Sequence, residues 1–350
     1  MDKTELSKIT ENFLHELQQA RAGHQTSLAF IKHQISGRPL VESDELFQVL
    51  IIGGTMCINA LLRKTSDNFI IVQQKKLKQP GFNTAAIFLD FLNSQLYPNV
   101  KVLGLNFAFP LNPITRDGRL DGLLVAGTKE HTFAGLVGKT VGETIEVFMK
   151  KKGNRKVKIS CANDTICLLL SGLTQTHWQG LAAGIVGTGL NFAIFLDEHT
   201  LVNLESANFN KFAISETGNR IDSESNKPGT ALFEKEISGA YLFQHFNLMT
   251  GGKISSTEEL NKIAKGKSNY AGIAQQLFNR SAMLVSCQIA GITKFYKKNM
   301  TFVMEGSLFW KGWKYRETIT KRVAQLIPEH QVNFVEIENS GILGAAKLVA

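Results

Sequence analysis

The sequence predicts an α/β protein of two lobes, and three observations predict it. At 350 residues the chain exceeds what one hydrophobic core ordinarily serves. Strand-like and helical apolar patterns alternate along it rather than segregating. An apolar strand followed at once by a glycine turn occurs in each half, at Gly53-Gly54-Thr55 and at Gly187-Thr188-Gly189. With 43% hydrophobic and 20% charged residues, the composition supplies cores and excludes a disordered chain.

The elements follow in order. Leu6, Ile9, Phe13, Leu14 and Leu17 recur at helical spacing, so Lys3 to Ala22 reads as an amphipathic helix, with Asp2 and Glu5 placed as a capping box. Phe47 to Ile52 is a buried strand that turns at Gly53-Gly54-Thr55 into a second apolar run reaching Leu62. Val100 to Phe109 is strand-like and stops at Pro110, and Lys139 to Lys151 places Val141, Ile145 and Phe148 on one helical face. Lys156 to Cys161 alternates as a half-buried strand, and Thr165 to Leu173 opens a buried helix. Asn191 to Leu196 completes the second hairpin. Strict alternation over Leu201 to Glu205 puts Asn203 and Glu205 on one face of a strand. Ala231 to Met249 and Tyr270 to Ile292 read as helices, Thr301 to Met304 as a short strand ending at Glu305-Gly306-Ser307, Val332 to Ile337 as a last strand, and Ile342 to Ala350 as a final helix.

No apolar run reaches the roughly 18 residues that a membrane-spanning helix needs. The start, Met1 to Glu5, does not read as a signal peptide. Cys57, Cys161, Cys167 and Cys287 have no CxxC spacing, which points to reduced thiols in a cytoplasmic protein. The net charge of +9 is compatible with an anionic substrate or with nucleic acid. However, the densest basic stretch, Lys150 to Lys158, carries no interleaved aromatic residue and reads as a solvated helix end and loop.

Two local features carry chemistry and admit two readings each. Asn163 and Asp164 stand where a strand gives way to a helix, a place for an N-cap or for a general base at the carboxyl end of a strand. The glycine turns, with Gly306-Ser307 as a third, suit either plain turns needing positive φ or backbone N–H groups cradling phosphate. Neither hairpin turn fits a P-loop or a Rossmann fingerprint.

Taken together and in order, these motifs resemble the hexokinase family of sugar kinases, from about Thr26 to Ala350. Gly53-Gly54-Thr55 resembles the family's first phosphate turn, Leu105 to Pro110 its sugar-binding Phe-Ser-Phe-Pro segment, Thr128-Lys129 its Thr-Lys pair and Asn163-Asp164-Thr165 its catalytic triplet. Gly187 to Asn191 resembles the second phosphate turn, Asn203-Leu-Glu205 the Asn-x-Glu sugar motif, Phe233-Glu234-Lys235 the helix that supplies another glutamate, and Gly306-Ser307-Leu308 the adenosine turn. The resemblance implies a two-lobed actin-like (ribonuclease H-like) ATPase fold with an interdomain cleft that closes on sugar. Residues 46–163 would form the small lobe, completed by the helix 342–350, and 164–341 the large lobe, with 1–45 packed on it.

The resemblance also implies roles. Asp164 would take the proton from a hexose 6-hydroxyl, glucose being the expected sugar, and Lys129 would offset charge on the transferring phosphoryl group. Phe109, Thr128, Lys129, Asn163, Asp164, Asn191, Asn203, Glu205 and Glu234 would bind the sugar. Gly53, Gly54, Thr55, Gly187, Thr188, Gly189, Gly306 and Ser307 would contact ATP, which would carry its own Mg2+. Without the resemblance, Lys129 and Glu234 read as solvated surface charges, and so would Glu205 but for the alternation that pairs it with Asn203. The expected partners are a hexose and ATP, with no nucleic acid and no membrane insertion, for a monomer.

The chain departs from the family pattern on the nucleotide side. Ile51 stands where the family has a metal-site Asp, Met56 and Ile58 replace an Asn and an Arg, Ala108 replaces the Ser of Phe-Ser-Phe-Pro, and Glu305 replaces the Asp of Asp-Gly-Ser. An apolar Ile cannot support a hydrated cation. Two readings therefore stay open: a hexose kinase with a modified metal site, and a sugar-binding regulator that has lost efficient phosphoryl transfer.

Overall fold

The computed structural model describes every residue except Asp67 and Lys129. In chain order the strands are β1 (Ile31–Gln34), β2 (Leu46–Ile52), β3 (Met56–Lys64), β4 (Phe69–Lys78), β5 (Val102–Phe107), β6 (Leu111–Arg116), β7 (Arg119–Leu124), β8 (Lys158–Ala162), β9 (Leu181–Val186), β10 (Leu190–Phe195), β11 (Thr200–Asn203), β12 (Met300–Glu305) and β13 (Val332–Val335). The chain divides into two compact units. One comprises residues 1–30, 182–192 and 203–336, the other residues 31–181, 193–202 and 337–350.

In the second unit five strands lie in the order β4-β3-β2-β5-β8. The predicted hairpin is present: β2 and β3 are antiparallel, Leu46 opposite Arg63 and Ile52 opposite Cys57, so the turn falls on Gly53-Gly54-Thr55. β2, β5 and β8 are parallel, and Asn106 pairs with Ile51 on one side and Ala162 on the other. Their carboxyl ends therefore align, and Gly53, Ala108 and Asn163 leave the sheet at one edge. One face of this sheet is covered by the helices Ala85–Gln95 and Val141–Gly153, through Phe88, Leu92, Ile145 and Met149 against Leu50, Leu105, Phe107 and Ile159.

On the helices Asp164–Ser171 and Ser340–Lys347 the packing is backbone on backbone. A Cβ on Gly344 would stand 1.8 Å from the Cys167 carbonyl oxygen, and one on Gly104 of β5 2.1 Å from that of Ala345. The last helix begins two residues earlier than its apolar run suggested, because Ser340 and Gly341 join its first turn.

The helix Val141–Gly153 starts without help from its own N-cap, Thr140. Asp121 of β7 does that work from across the fold. Its buried carboxylate accepts from the N–H groups of Gly142 (2.8 Å) and Glu143 (3.1 Å), from that of Gly122 (2.8 Å), and from the Arg116 guanidinium (3.1 Å). Gly142 makes room for it, since a Cβ there would lie 2.5 Å from Asp121 Oδ2. Lys150, Lys151 and Lys152 occupy the last turn of this helix, where cations suit the dipole.

In the first unit the strand order is β10-β9-β12-β13, with β12 and β13 parallel. The amphipathic helix at Lys3–Arg21 is present, capped by Asp2, whose Oδ1 accepts the Glu5 N–H at 2.9 Å. It packs on the long helix Ala271–Tyr296, where Gly291 admits Phe13. The single helix expected from Ala231 to Met249 is two, Leu232–Ile237 and Leu242–Thr250. Ser238 is extended at the break.

Candidate functional site

The sequence-predicted residues fall into two groups, each within one unit. In the second unit β8 delivers Asn163 and Asp164. Asn163 is the N-cap: its backbone is extended and its Oδ1 accepts the Ile166 N–H at 3.0 Å. Capping therefore belongs to Asn163, not to Asp164, which is the first residue of the helix. Asp164 Oδ1 accepts from the N–H (2.7 Å) and the hydroxyl (3.3 Å) of Thr165. Its Oδ2 bonds to no other residue among those described. Crowding by surrounding protein raises its pKa above the ordinary value, against the downward pull of the Thr165 bonds. Water nonetheless reaches the side chain, so the rise marks an accessible carboxyl on a crowded wall rather than one sealed in a core.

Leaving the same sheet edge, the Gly53-Gly54-Thr55 turn is exposed at Gly54 and Thr55. Neither glycine has a positive φ, and a Cβ on Gly54 would meet nothing within 4 Å. Neither conformation nor packing demands glycine there, which leaves close approach of the backbone to a ligand as its use. Phe109 does not face open space. It is 4% exposed, with its ring 4.8 Å from those of Phe107 and Phe133. Thr128 is exposed and closes a tight turn with His131 through backbone bonds of 2.9 and 3.3 Å. Lys129 lies outside the described residues. Ile51 presses its Cδ1 on Gly341, where a Cβ would stand 2.8 Å from it, beside the buried Asn106.

In the first unit the polar groups form a chain. Asn191 Nδ2 donates to Asn203 Oδ1 and Asn203 Nδ2 to Glu205 Oε1, both at 2.7 Å. The contact between Asn203 and Glu205 arises differently from the expected alternation. β11 ends at Asn203, and Glu205 turns back in the left-handed region at φ +49°. A non-glycine residue held there marks a site worth its strain. Glu234 Oε2 accepts the Leu190 N–H at 2.9 Å, and burial first, then the nearby Glu205 charge, raise its pKa against that bond. Thus Asn191, Asn203, Glu205 and Glu234 form one acceptor-rich group suited to hydroxyls.

The second glycine turn adjoins them. Gly239 N–H donates to the Gly187 carbonyl (2.7 Å) and Ala240 N–H to that of Thr188 (3.1 Å), which is why the helix must break at Ser238. A Cβ at Gly189 would reach 2.8 Å from Glu234 Oε2. One at Gly239 would reach 2.9 Å from the Gly187 carbonyl, one at Gly187 3.2 Å from Gly306 Cα, and one at Gly306 (φ +113°) 2.2 Å from the Val186 carbonyl. Gly187, Gly239 and Gly306 are packed main chain to main chain, and Gly189 against the Glu234 carboxylate. Beside them lies a cavity of about 450 Å3 lined by Gly187, Thr188, Gly239, Ser307, Asn261 and Lys311 among others. Within it the Asn261 carboxamide donates to Lys311 O, while its buried Oδ1 has no partner among the described residues. An orphaned acceptor of this kind fits a ligand amine. Thr257 hydroxyl donates to Gly239 O (2.6 Å) and ties this wall to the turn.

Sequence reasoning missed Asn261, Thr257, Gln79 and His131. The first two belong to a helix, Thr257–Lys265, announced by the run Ser255-Ser-Thr-Glu-Glu259 in which Ser256 caps onto Glu259 N–H. That signal locates a helix start but not what it faces.

Two family models, both described as Hexokinase, match residues 1–174 and residues 181–250 with 252–350. The chain belongs to the hexokinase family. It is 25% identical over 325 residues to the chloroplastic Hexokinase-4 of Oryza sativa, covering 71% of this chain and 62% of that one. Against human Hexokinase-2 it is 24% identical over 331 residues, 76% of this chain and 35% of the relative. This member of the family thus spans less than two thirds of either relative's length. The structure of a Schistosoma mansoni hexokinase complexed with glucose matches 100% of this chain and 95% of that chain with a TM-score of 0.78 at 19% identity. A Listeria monocytogenes putative N-acetylmannosamine kinase matches 87% and 98% with 0.62 at 16%. At these identities the likeness gives the fold, which is the two-lobed actin-like sugar-kinase fold.

Proposed function

We propose that this chain is a hexose kinase that transfers the terminal phosphoryl group of ATP to the 6-hydroxyl of a glucose-like sugar, with Asp164 as general base. The observation that carries this reading is the Asp164 carboxyl, with one oxygen fixed by Thr165, the other without a partner among the described residues, and the side chain exposed to water. A base so held is oriented by one atom and reacts through the other. Oδ2 would accept the hydroxyl proton as the sugar oxygen attacks phosphorus. Asn191, Asn203, Glu205 and Glu234 would hold the hydroxyls of the sugar, joined by Asn163 through its amide nitrogen and by Thr128. Phe109 would serve as a buried support beneath its loop. Lys129 would offset phosphoryl charge, the role its resemblance implies.

ATP, when bound, supplies the phosphoryl group. The residues present fit it: the about 450 Å3 cavity ends on the Gly187-Thr188 and Gly306-Ser307 turns, and the orphaned Asn261 Oδ1 suits a purine amine. Mg2+ finds less support. Ile51 offers only methyl groups against Gly341, and among the described residues no cluster of three or more His, Cys, Asp or Glu is placed for a metal. That specific observation supports the second reading, a sugar-binding regulator with impaired transfer.

A coupled ADP-release assay with several hexoses separates the two. For the kinase, wild type turns over and Asp164→Asn lowers kcat by about 10²- to 10⁴-fold with hexose affinity retained. Tight hexose binding without wild-type turnover, with activity appearing on Ile51→Asp, would establish the regulator instead.

A further inference from the structure

We propose that His131 and Gln79 are positioning residues that aim the N–H groups of Gly54 and Thr55 at an anion by tying back the two carbonyls that precede them. The proposal rests on the reading of Gly53-Gly54-Thr55 as a phosphate turn. Gln79 Nε2 donates to the Gly53 carbonyl at 2.5 Å and Gln79 N–H to the Thr55 carbonyl at 3.1 Å. His131 Nε2 bonds the Gly54 carbonyl. The tautomer is fixed by the other nitrogen, because Nδ1 accepts the Phe82 N–H at 3.0 Å and so leaves the ring proton on Nε2, facing Gly54. Both side chains are nearly buried, Gln79 at 6% and His131 at 3% exposure, and rings of Phe82, Phe109 and Phe133 stand 5.1 to 5.9 Å from the imidazole.

In a trans peptide the C=O of one residue and the N–H of the next point opposite ways. Holding the Gly53 carbonyl inward therefore turns the Gly54 N–H outward, and holding the Gly54 carbonyl does the same for Thr55 N–H. Neither N–H makes a hydrogen bond among the described residues, and both residues are exposed. Two adjacent outward N–H groups form an anion cradle. Both side chains are buried behind the turn. They act through the turn.

The experiment is calorimetric titration of full-length wild type, His131→Phe, His131→Gln and Gln79→Leu with ATP and, separately, with glucose, alongside steady-state kinetics and thermal melts. His131→Phe keeps an aromatic ring but loses both hydrogen bonds. It is expected to weaken ATP about tenfold, in Kd and in the KM for ATP. Glucose affinity should stay within about twofold, since the Thr128–His131 turn is closed by backbone bonds alone. His131→Gln retains an Nε2 donor for Gly54 and is expected to recover most of the loss, an outcome that lost stability alone would not give. Gln79→Leu tests the Gly53 arm should a His131 variant fail to fold. Folded variants that bind ATP as wild type does overturn this inference and leave the proposed function standing. Wild type that binds glucose but no ATP removes the phosphate reading together with the inference.

Discussion

Two carboxyl side chains, Asp164 and Glu234, respond to crowding in the same sense, and together they set a measurable dependence on pH. Asp164 has its pKa raised by crowding. As a base it must be ionised, so turnover is lost as pH falls through that raised value, and the acid limb of kcat/KM is expected above the roughly 3.9 of an ordinary Asp. Glu234 is raised too and steepens the same limb. A pH–rate profile with its limb at the ordinary aspartate value would contradict the assignment. Because the shift is upward, acid does not cost stability through Asp164. Protonation there suits the folded state.

Elements decide whether Asp164 stays where it is. Its helix, Asp164–Ser171, is held by the helix Ser340–Lys347 at a point where Gly344 touches the Cys167 main chain. Gly344→Ala should force the two apart, destabilising the fold by about 1–3 kcal/mol. It should lower kcat more than it changes the KM for hexose, which urea unfolding and steady-state kinetics would measure together. A second element test concerns the helix Val141–Gly153. Asp121→Ala leaves the N–H groups of Gly142 and Glu143 without their acceptor and the partly buried Arg116 reliant on Glu146, at a cost of about 3 kcal/mol. An unchanged denaturation midpoint would mean water replaces the carboxylate.

The same comparison of elements explains what the sequence disclosed. Hairpins with their glycine turns, and helices whose apolar residues recur on one face, were legible, since period and turn chemistry are local. Asn163, the N-cap, was legible only as one of a pair. The break at Ser238 was not, because helical spacing continues through it and only the docking of Gly239 on Gly187 interrupts it. Asp121 as a remote cap and His131 as a brace were equally hidden. Each depends on residues brought together by topology, 21 positions apart for Asp121 and Gly142 and 77 for His131 and Gly54. Phe109 matches a motif, and its burial among core rings is a placement that the pattern alone did not disclose.

At the scale of the whole molecule, His33 couples folding to acidity. It is buried in β1, its Nδ1 bonded to Ile31 O at 2.9 Å, and burial lowers its pKa from 6.5 to about 4. The unfolded chain takes up that proton near pH 6.5 and the folded one does not. Stability is therefore fully present above pH 6.5 and declines as pH falls towards 4, by up to about 3 kcal/mol. Urea midpoints measured across this window should slope downward for wild type and flatten for His33→Leu. An equal slope in both would assign the acid sensitivity elsewhere.

The knot of Gly187, Gly189, Gly239 and Gly306 has a wider implication for how such a chain diverges. Gly187, Gly239 and Gly306 meet peptide groups, which do not read the identity of neighbouring side chains, while Gly189 meets the Glu234 carboxylate. Residues around the knot other than Glu234 can drift, provided these four acquire no side chain and no residue is inserted between them. A surface of that kind preserves its shape through extensive substitution elsewhere. It explains how a chain about one quarter identical to its relatives can carry Ile51 in one unit while the Gly187–Gly189 turn of the other keeps its geometry.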